Sequence, residues 1–125
     1  MPTMPINDYR DLEVWKRGRE IAKAAYLLTR SFPKEELYGM VSQIRRAATS
    51  IPANIAEGWG RHYQAEFVQF LRTANGSRTE LETHLIVSAD AGLCLESAIQ
   101  PLLQETTILG KQLLALERSL HRNPT

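Results

Sequence analysis

Val14, Gly18, Ile21, Ala25, Leu28 and Phe32 recur at alternating spacings of four and three, and Leu37, Val41, Ile44, Ala48, Ile51 and Ile55 repeat the same rhythm. That spacing lines one face of a 3.6-residue helix, and no other feature narrows the fold so far. A third stripe runs through Phe67, Phe70, Leu71, Ala74, Leu81 and Leu85, and a fourth through Leu102, Leu109, Leu113, Leu116 and Leu120. Helices that are apolar on one side only must bury those sides against one another.

The breaks between stripes set the boundaries. Pro33 in "SFPKEE" disfavours a helical Phe32, while Glu35 and Glu36 suit the positive end of a following helix. Gly58 is expected to cap the second helix in the left-handed conformation, and Gly60 to let the chain reverse. Gly92 stops the third helix. "SAIQ", from Ser97 to Gln100, reads as a capping box with Pro101 tolerated in the first turn. The predicted helices span 11–31, 34–58, 64–91 and 97–121. Short connections force neighbours antiparallel, so the expected fold is an all-α, up-down-up-down four-helix bundle. One domain, 11–121, is expected between a flexible segment 1–10 and a disordered tail 122–125.

The second stripe crosses Pro52 without losing phase, which predicts one helix kinked at Pro52 rather than two helices. The proline removes a hydrogen bond and strains the turn back to Ala48, costing about 3 kcal/mol if uncompensated. Thr49 or Ser50 is expected to bond the freed carbonyls. Ser50, Asn54 and Glu57, with Arg46 a turn before, form a polar ridge beside the stripe. Against helix 3 or a neighbouring subunit the ridge must be hydrogen-bonded throughout and would fix register; the alternative is a solvated face. Antiparallel pairing about residue 61 sets Ala47 and Ala48 opposite Gly76 and Ser77, where small residues permit close approach, and brings Arg45 near Glu80.

The balance of Lys and Arg over Asp and Glu is only +1, so any binding to nucleic acid must come from a local patch. The single cysteine, Cys94, excludes an internal disulfide and a multi-thiolate zinc site. No signal-like N-terminal run or membrane-length apolar segment is present, and a cytoplasmic protein with no membrane partner is expected. Glu80 and His84 are four apart with no second such pair, so an exposed contact outweighs a metal site. Cys94 lies by an apolar turn without a nearby histidine, which favours an inert thiol. No phosphate-binding loop, dinucleotide fingerprint or nucleophile elbow occurs. The expectation is a non-enzyme with no catalytic residues, cofactor, metal or small-molecule substrate.

Arg45, Arg46, Arg61, His62, Arg72 and Arg78 fall on helix 2, the following corner and helix 3, and are the candidate nucleic-acid-binding residues. The N-terminus of helix 3 beside Arg61 and His62 could seat a phosphate. Structural pairing of Arg45 with Glu80 and of Arg61 with Glu57 is the competing reading. Trp15, Tyr38 and Trp59 are candidate subunit contacts, with base stacking and internal packing as alternatives.

"DLEVW" at 11–15, "QIRRAATSIPANIAEGWGR" at 43–61, "EFVQFL" at 66–71 and "GSRTELETHL" at 76–85 resemble the 23S rRNA intervening-sequence protein family. The residues Ser50, Pro52, Asn54, Glu57 and Gly58 lie in its middle motif, with Gly76 and Glu80 in the last. The resemblance implies a small four-helix bundle assembled as a homopentamer, sometimes encoded within insertions in bacterial 23S rRNA genes, with no established reaction. A similar bundle serves as the accessory protein of diversity-generating retroelements, a basic pentameric barrel that binds a reverse transcriptase and nucleic acid. The expected role is an assembly or adaptor engaging RNA, DNA or a ribonucleoprotein through arginines, the alternative being a purely protein-binding scaffold.

Overall fold

The structure, a computed structural model, describes residues 7–122. Most of the expected flexible segment 1–10, and residues 123–125 of the expected tail, lie outside the described residues. The part of the first segment that is described is built into the fold. Asp8 caps a 3-10 turn, Tyr9–Asp11, by accepting the Arg10 N–H at 2.8 Å, and the Tyr9 ring meets Trp15 edge-on at 5.3 Å.

Four helices follow: α1 Glu13–Thr29, α2 Ser42–Gly60, α3 Gln64–Asp90 and α4 Glu96–Arg122. Each packs on its neighbours in chain order, and α1 closes the bundle against α4. Contacts run in opposite senses along consecutive helices: Gly18 faces Ile51 and Pro52, whereas Thr29 meets Arg45. Likewise Arg72 reaches Glu117, and Glu82 meets Thr106. The four stripes meet inside, except at Leu37. Ile21, Ile44, Ile51, Ile55, Leu71, Leu81, Leu85, Ile99 and Leu109 are almost wholly shielded from water. Each such side chain contributes roughly 2 kcal/mol relative to exposure.

The second helix differs from its predicted form at both ends. Residues 34–58 were expected as one helix, but Lys34–Glu36 form a 3-10 turn and Leu37–Val41 a π-turn before α2 begins. Gly39, at φ −110° and ψ −110°, leaves helical geometry there, and the Glu36 carboxylate accepts the Met40 N–H at 3.2 Å. The wider turn rotates Leu37 out of the stripe, so a residue expected inside is exposed. Downstream, α2 runs through Pro52 without interruption. A Cβ on Gly18 would stand 3.1 Å from Ile51 Cγ2 and 3.5 Å from Pro52 Cδ, so the glycine lets α1 lie against the proline ring. Side chains bond carbonyls close to the proline, Thr49 Oγ1 to Arg45 O at 2.9 Å and Ser50 Oγ to Ala47 O at 2.7 Å. Neither takes the Ala48 carbonyl that Pro52 itself frees.

Gly58 does not cap α2. It lies inside the helix, buried, where an added Cβ would come within 2.5 Å of Phe70 Cβ, so its role is close approach of α3. The left-handed residue at this corner is His62, at φ 64°. Gly76, expected at a tight contact with Ala47 and Ala48, instead faces open space with nothing within 4 Å of an added Cβ. Gly92 performs its predicted role: at φ 78° it closes α3 while Leu93 N–H bonds Ser88 O and Gly92 N–H bonds Ala89 O. Helix α4 starts at Glu96, so Ser97 sits inside it and cannot serve as the expected cap. No helix among the described residues is long and apolar enough to cross a membrane.

Candidate nucleic-acid interface

Arg45 lies one residue beyond buried Ile44, about 100° further round α2, which turns it toward α1 and away from α3. Its Nε donates to Thr29 Oγ1 at 3.0 Å, and its guanidinium stands 4.6 Å from the centre of the Tyr26 ring. Thr29 is itself held by donating to Ala25 O at 2.8 Å. The expected Arg45–Glu80 pair therefore does not form; Glu80 Oε2 meets His84 Nε2 at 3.0 Å, the exposed contact predicted for that pair. Arg46 is exposed and donates to Gln43 Oε1 at 2.6 Å. Among the described residues neither Arg45 nor Arg46 has a carboxylate partner.

These two arginines border a groove of about 480 Å³ with Tyr26, Leu37, Tyr38 and Thr49 along it. Tyr38, raised on the π-turn, is 92% exposed. Tyr26, Thr29 and Leu37 were not among the predicted site residues. Their signal was available: antiparallel pairing about the "SFPKEE" corner places Tyr26 opposite Arg45.

The other predicted residues meet different fates. Arg61 is clasped by Glu57 at 2.9 Å and Glu66 at 3.4 Å and lies over Phe70. The Glu57 hydrogen bond holds its pKa above the ordinary arginine value. The phosphate seat expected at the N-terminus of α3 is thus flanked by two carboxylates. His62 is exposed and borders a cavity of about 260 Å³ with Trp59, Tyr63, Gln64, Phe67 and Leu120. Gln64 Nε2 donates across this cavity's edge to Leu120 O. Trp59 packs edge-on against Phe67 at 5.9 Å, and Trp15 packs against Tyr9, so both tryptophans contact their own core.

Arg72 directs Nε and Nη2 to one oxygen of Glu117, at 3.1 and 2.9 Å. Arg78 is enclosed in the α3/α4 seam, its side chain only 16% exposed. It donates to Asn75 Oδ1 at 2.8 Å and Glu82 Oε2 at 3.0 Å, and Thr106 Oγ1 donates to the same carboxylate oxygen at 2.7 Å. The guanidinium lies across Gly110, where a Cβ would stand 2.6 Å from Arg78 Cζ. Neither Thr106 nor Gly110 was singled out from the sequence, because each interrupts an apolar stripe in a way that reads as noise until α3 is placed beside it.

The polar ridge is satisfied by α2 and the residue that follows it: Ser50 bonds Ala47 O, Asn54 Nδ2 bonds Ser50 O at 2.7 Å, and Glu57 holds Arg61. Cys94 is half-buried, and burial pushes its thiol pKa up. Among the described residues no group of three or more His, Cys, Asp or Glu is placed to hold a metal ion. Charge is divided between the halves. Nine Lys and Arg stand against five Glu from Glu13 to Arg61, and five against seven acids from His62 to Arg122.

Four antiparallel helices around one apolar centre, with an arginine and tyrosine groove on the α1/α2 side, define a small helical-bundle protein. The chain belongs to the 23S rRNA-intervening sequence protein family, whose model matches residues 10–115. A crystal structure of a protein of unknown function from the S23 ribosomal protein family of Bacteroides thetaiotaomicron shares the fold, with a TM-score of 0.75 and 23% identity. The match covers 84% of this chain and 98% of that one. No curated protein matches the chain.

Proposed function

We propose that this protein is a non-enzymatic cytoplasmic adaptor that assembles with itself into a closed ring of five and engages RNA through the groove between α1 and α2. The observation that carries the RNA contact is the pair Arg45 and Arg46, which among the described residues have no carboxylate partner and lie beside the exposed rings of Tyr26 and Tyr38. An arginine without an acid to neutralise it keeps its donors for phosphate oxygens, and a tyrosine face suits a base. The family takes its name from the intervening sequences of 23S rRNA. The ring rests on the resemblance together with apolar side chains left outside the bundle, among them Leu95 and Tyr63.

The test is binding of a looped rRNA fragment followed across a salt series. Affinity is expected to fall steeply as salt rises. No RNA binding at low salt would sink the reading. Light scattering at micromolar concentration should return five times the chain mass, and a monomer mass would remove the ring. A purely protein-binding scaffold is the second reading, favoured by exposed Ile86, Val87 and Ile108 on α3 and α4.

A further inference from the structure

We infer that the α1/α2 groove takes an unpaired stretch of RNA, with one base stacked on the Tyr38 ring and the neighbouring phosphates on Arg45 and Arg46. The inference rests on the RNA-binding reading above and adds the form of the RNA. Three independent features converge on it. The first is the π-turn: Leu37–Val41 interrupts regular helix at Gly39 and turns both Leu37 and Tyr38 outward. Tyr38 is 92% exposed, with no ring contact among the described residues, so its face is open to a partner.

The second is the arginine geometry. Arg45 is fixed through Nε by Thr29 and by the Tyr26 ring beneath it, and among the described residues no protein group takes its Nη nitrogens. Among the described residues Arg46 is tied only to the amide of Gln43, a neutral acceptor that an anionic oxygen can displace. A protein partner would have to bring two carboxylates to this one groove. A nucleic-acid strand brings a phosphate with every residue.

The third is size and shape. About 480 Å³ of open groove is room for one base with the phosphate beside it. In a duplex the base faces are covered by their neighbours, and the A-form major groove is too narrow for side chains to read. Only an unpaired base can offer a face to a tyrosine that stands at the rim of a groove. Stacking of this kind tolerates any base, so the site should discriminate strandedness more than sequence.

The experiment compares a labelled single-stranded RNA with the same strand annealed to its complement, using wild type, Tyr38→Ala, Tyr38→Phe and Arg46→Ala. Exposed Tyr38 leaves the fold intact when replaced, which circular dichroism checks. Tyr38→Ala should weaken single-strand binding about tenfold, and Tyr38→Phe should restore it. The duplex should bind more weakly and respond to Arg46→Ala but not to Tyr38→Ala. If Tyr38→Ala binds the single strand as wild type does while Arg46→Ala weakens it, the inference falls and the RNA-binding reading stands. Equal affinity for both forms overturns it as well. Failure of wild type to bind either RNA overturns both. A lowered oligomer mass in Tyr38→Ala with unchanged RNA affinity assigns the ring to a second copy of the chain and contradicts the stacking.

Discussion

Arg45 on α2 and Arg78 on α3 both turn from their helices toward a neighbouring one, yet their surroundings are opposite in kind. Arg78 lies across Gly110, bonded to Glu82 and Asn75, and Thr106 completes the network from α4. Its charge is neutralised within the bundle and its shape fills a seam. Arg45 has a tyrosine ring and a threonine hydroxyl instead, neither of which carries charge. An arginine's role is decided by the acceptor it finds: a carboxylate makes it part of the frame, and a neutral group leaves it available to an outside anion.

The largest effect is expected where backbone, not an arginine, sets the fit. Gly58→Ala should cost about 3 kcal/mol in chemical unfolding, because the new methyl meets Phe70 Cβ, which cannot swing away. Arg78→Ala comes next, at about 2 kcal/mol, since Glu82 would lose a charged partner in a largely enclosed seam. RNA affinity should not change in that variant, and a loss there would blur the distinction between the two settings. Gly110→Ala should cost about 1 kcal/mol by displacing the flexible Arg78 guanidinium. Combining it with Arg78→Ala should give less than the sum, measured as a double-mutant cycle.

Arg46→Ala should alter stability by no more than about 0.5 kcal/mol, as expected of an exposed site bonded to one amide. The smallest effect concerns Cys94. Burial raises its pKa, so at about pH 8 less thiolate is present in the folded chain than in the unfolded one. Alkylation should therefore run more slowly in buffer than in urea, and equal rates would show the thiol to be open.

The bundle was legible because its information is periodic. Stripes from Val14 to Phe32 and from Val41 to Ile55 fix which faces meet, and Gly92 announces its own left-handed turn. Even Pro52 was readable as helical, since Ile51 and Ile55 keep phase around it. What escaped the sequence depends on the rotation of one helix against another. Gly58 looks like a cap until Phe70 is placed beside it, and Gly76 looks like a contact until α3 turns it outward. The same holds for the site. Five of the six candidates are arginines of one region, and only their partners separated Arg45 and Arg46 from Arg61, Arg72 and Arg78. The π-turn was invisible because Leu37 continues the stripe perfectly well in an ideal helix.

The most direct test sets Arg45→Ala/Arg46→Ala beside Arg78→Ala in one experiment, reading RNA affinity across a salt series and unfolding stability on the same samples. A crossed result is expected. The double variant keeps most of its stability while its affinity drops and its log–log salt slope becomes shallower by about 1.4, the value for two lost contacts to a single strand. Arg78→Ala loses stability and keeps wild-type affinity and slope. Equal salt slopes in all three proteins, or a greater loss of RNA affinity in Arg78→Ala, would show that Arg45 and Arg46 are not the RNA contacts.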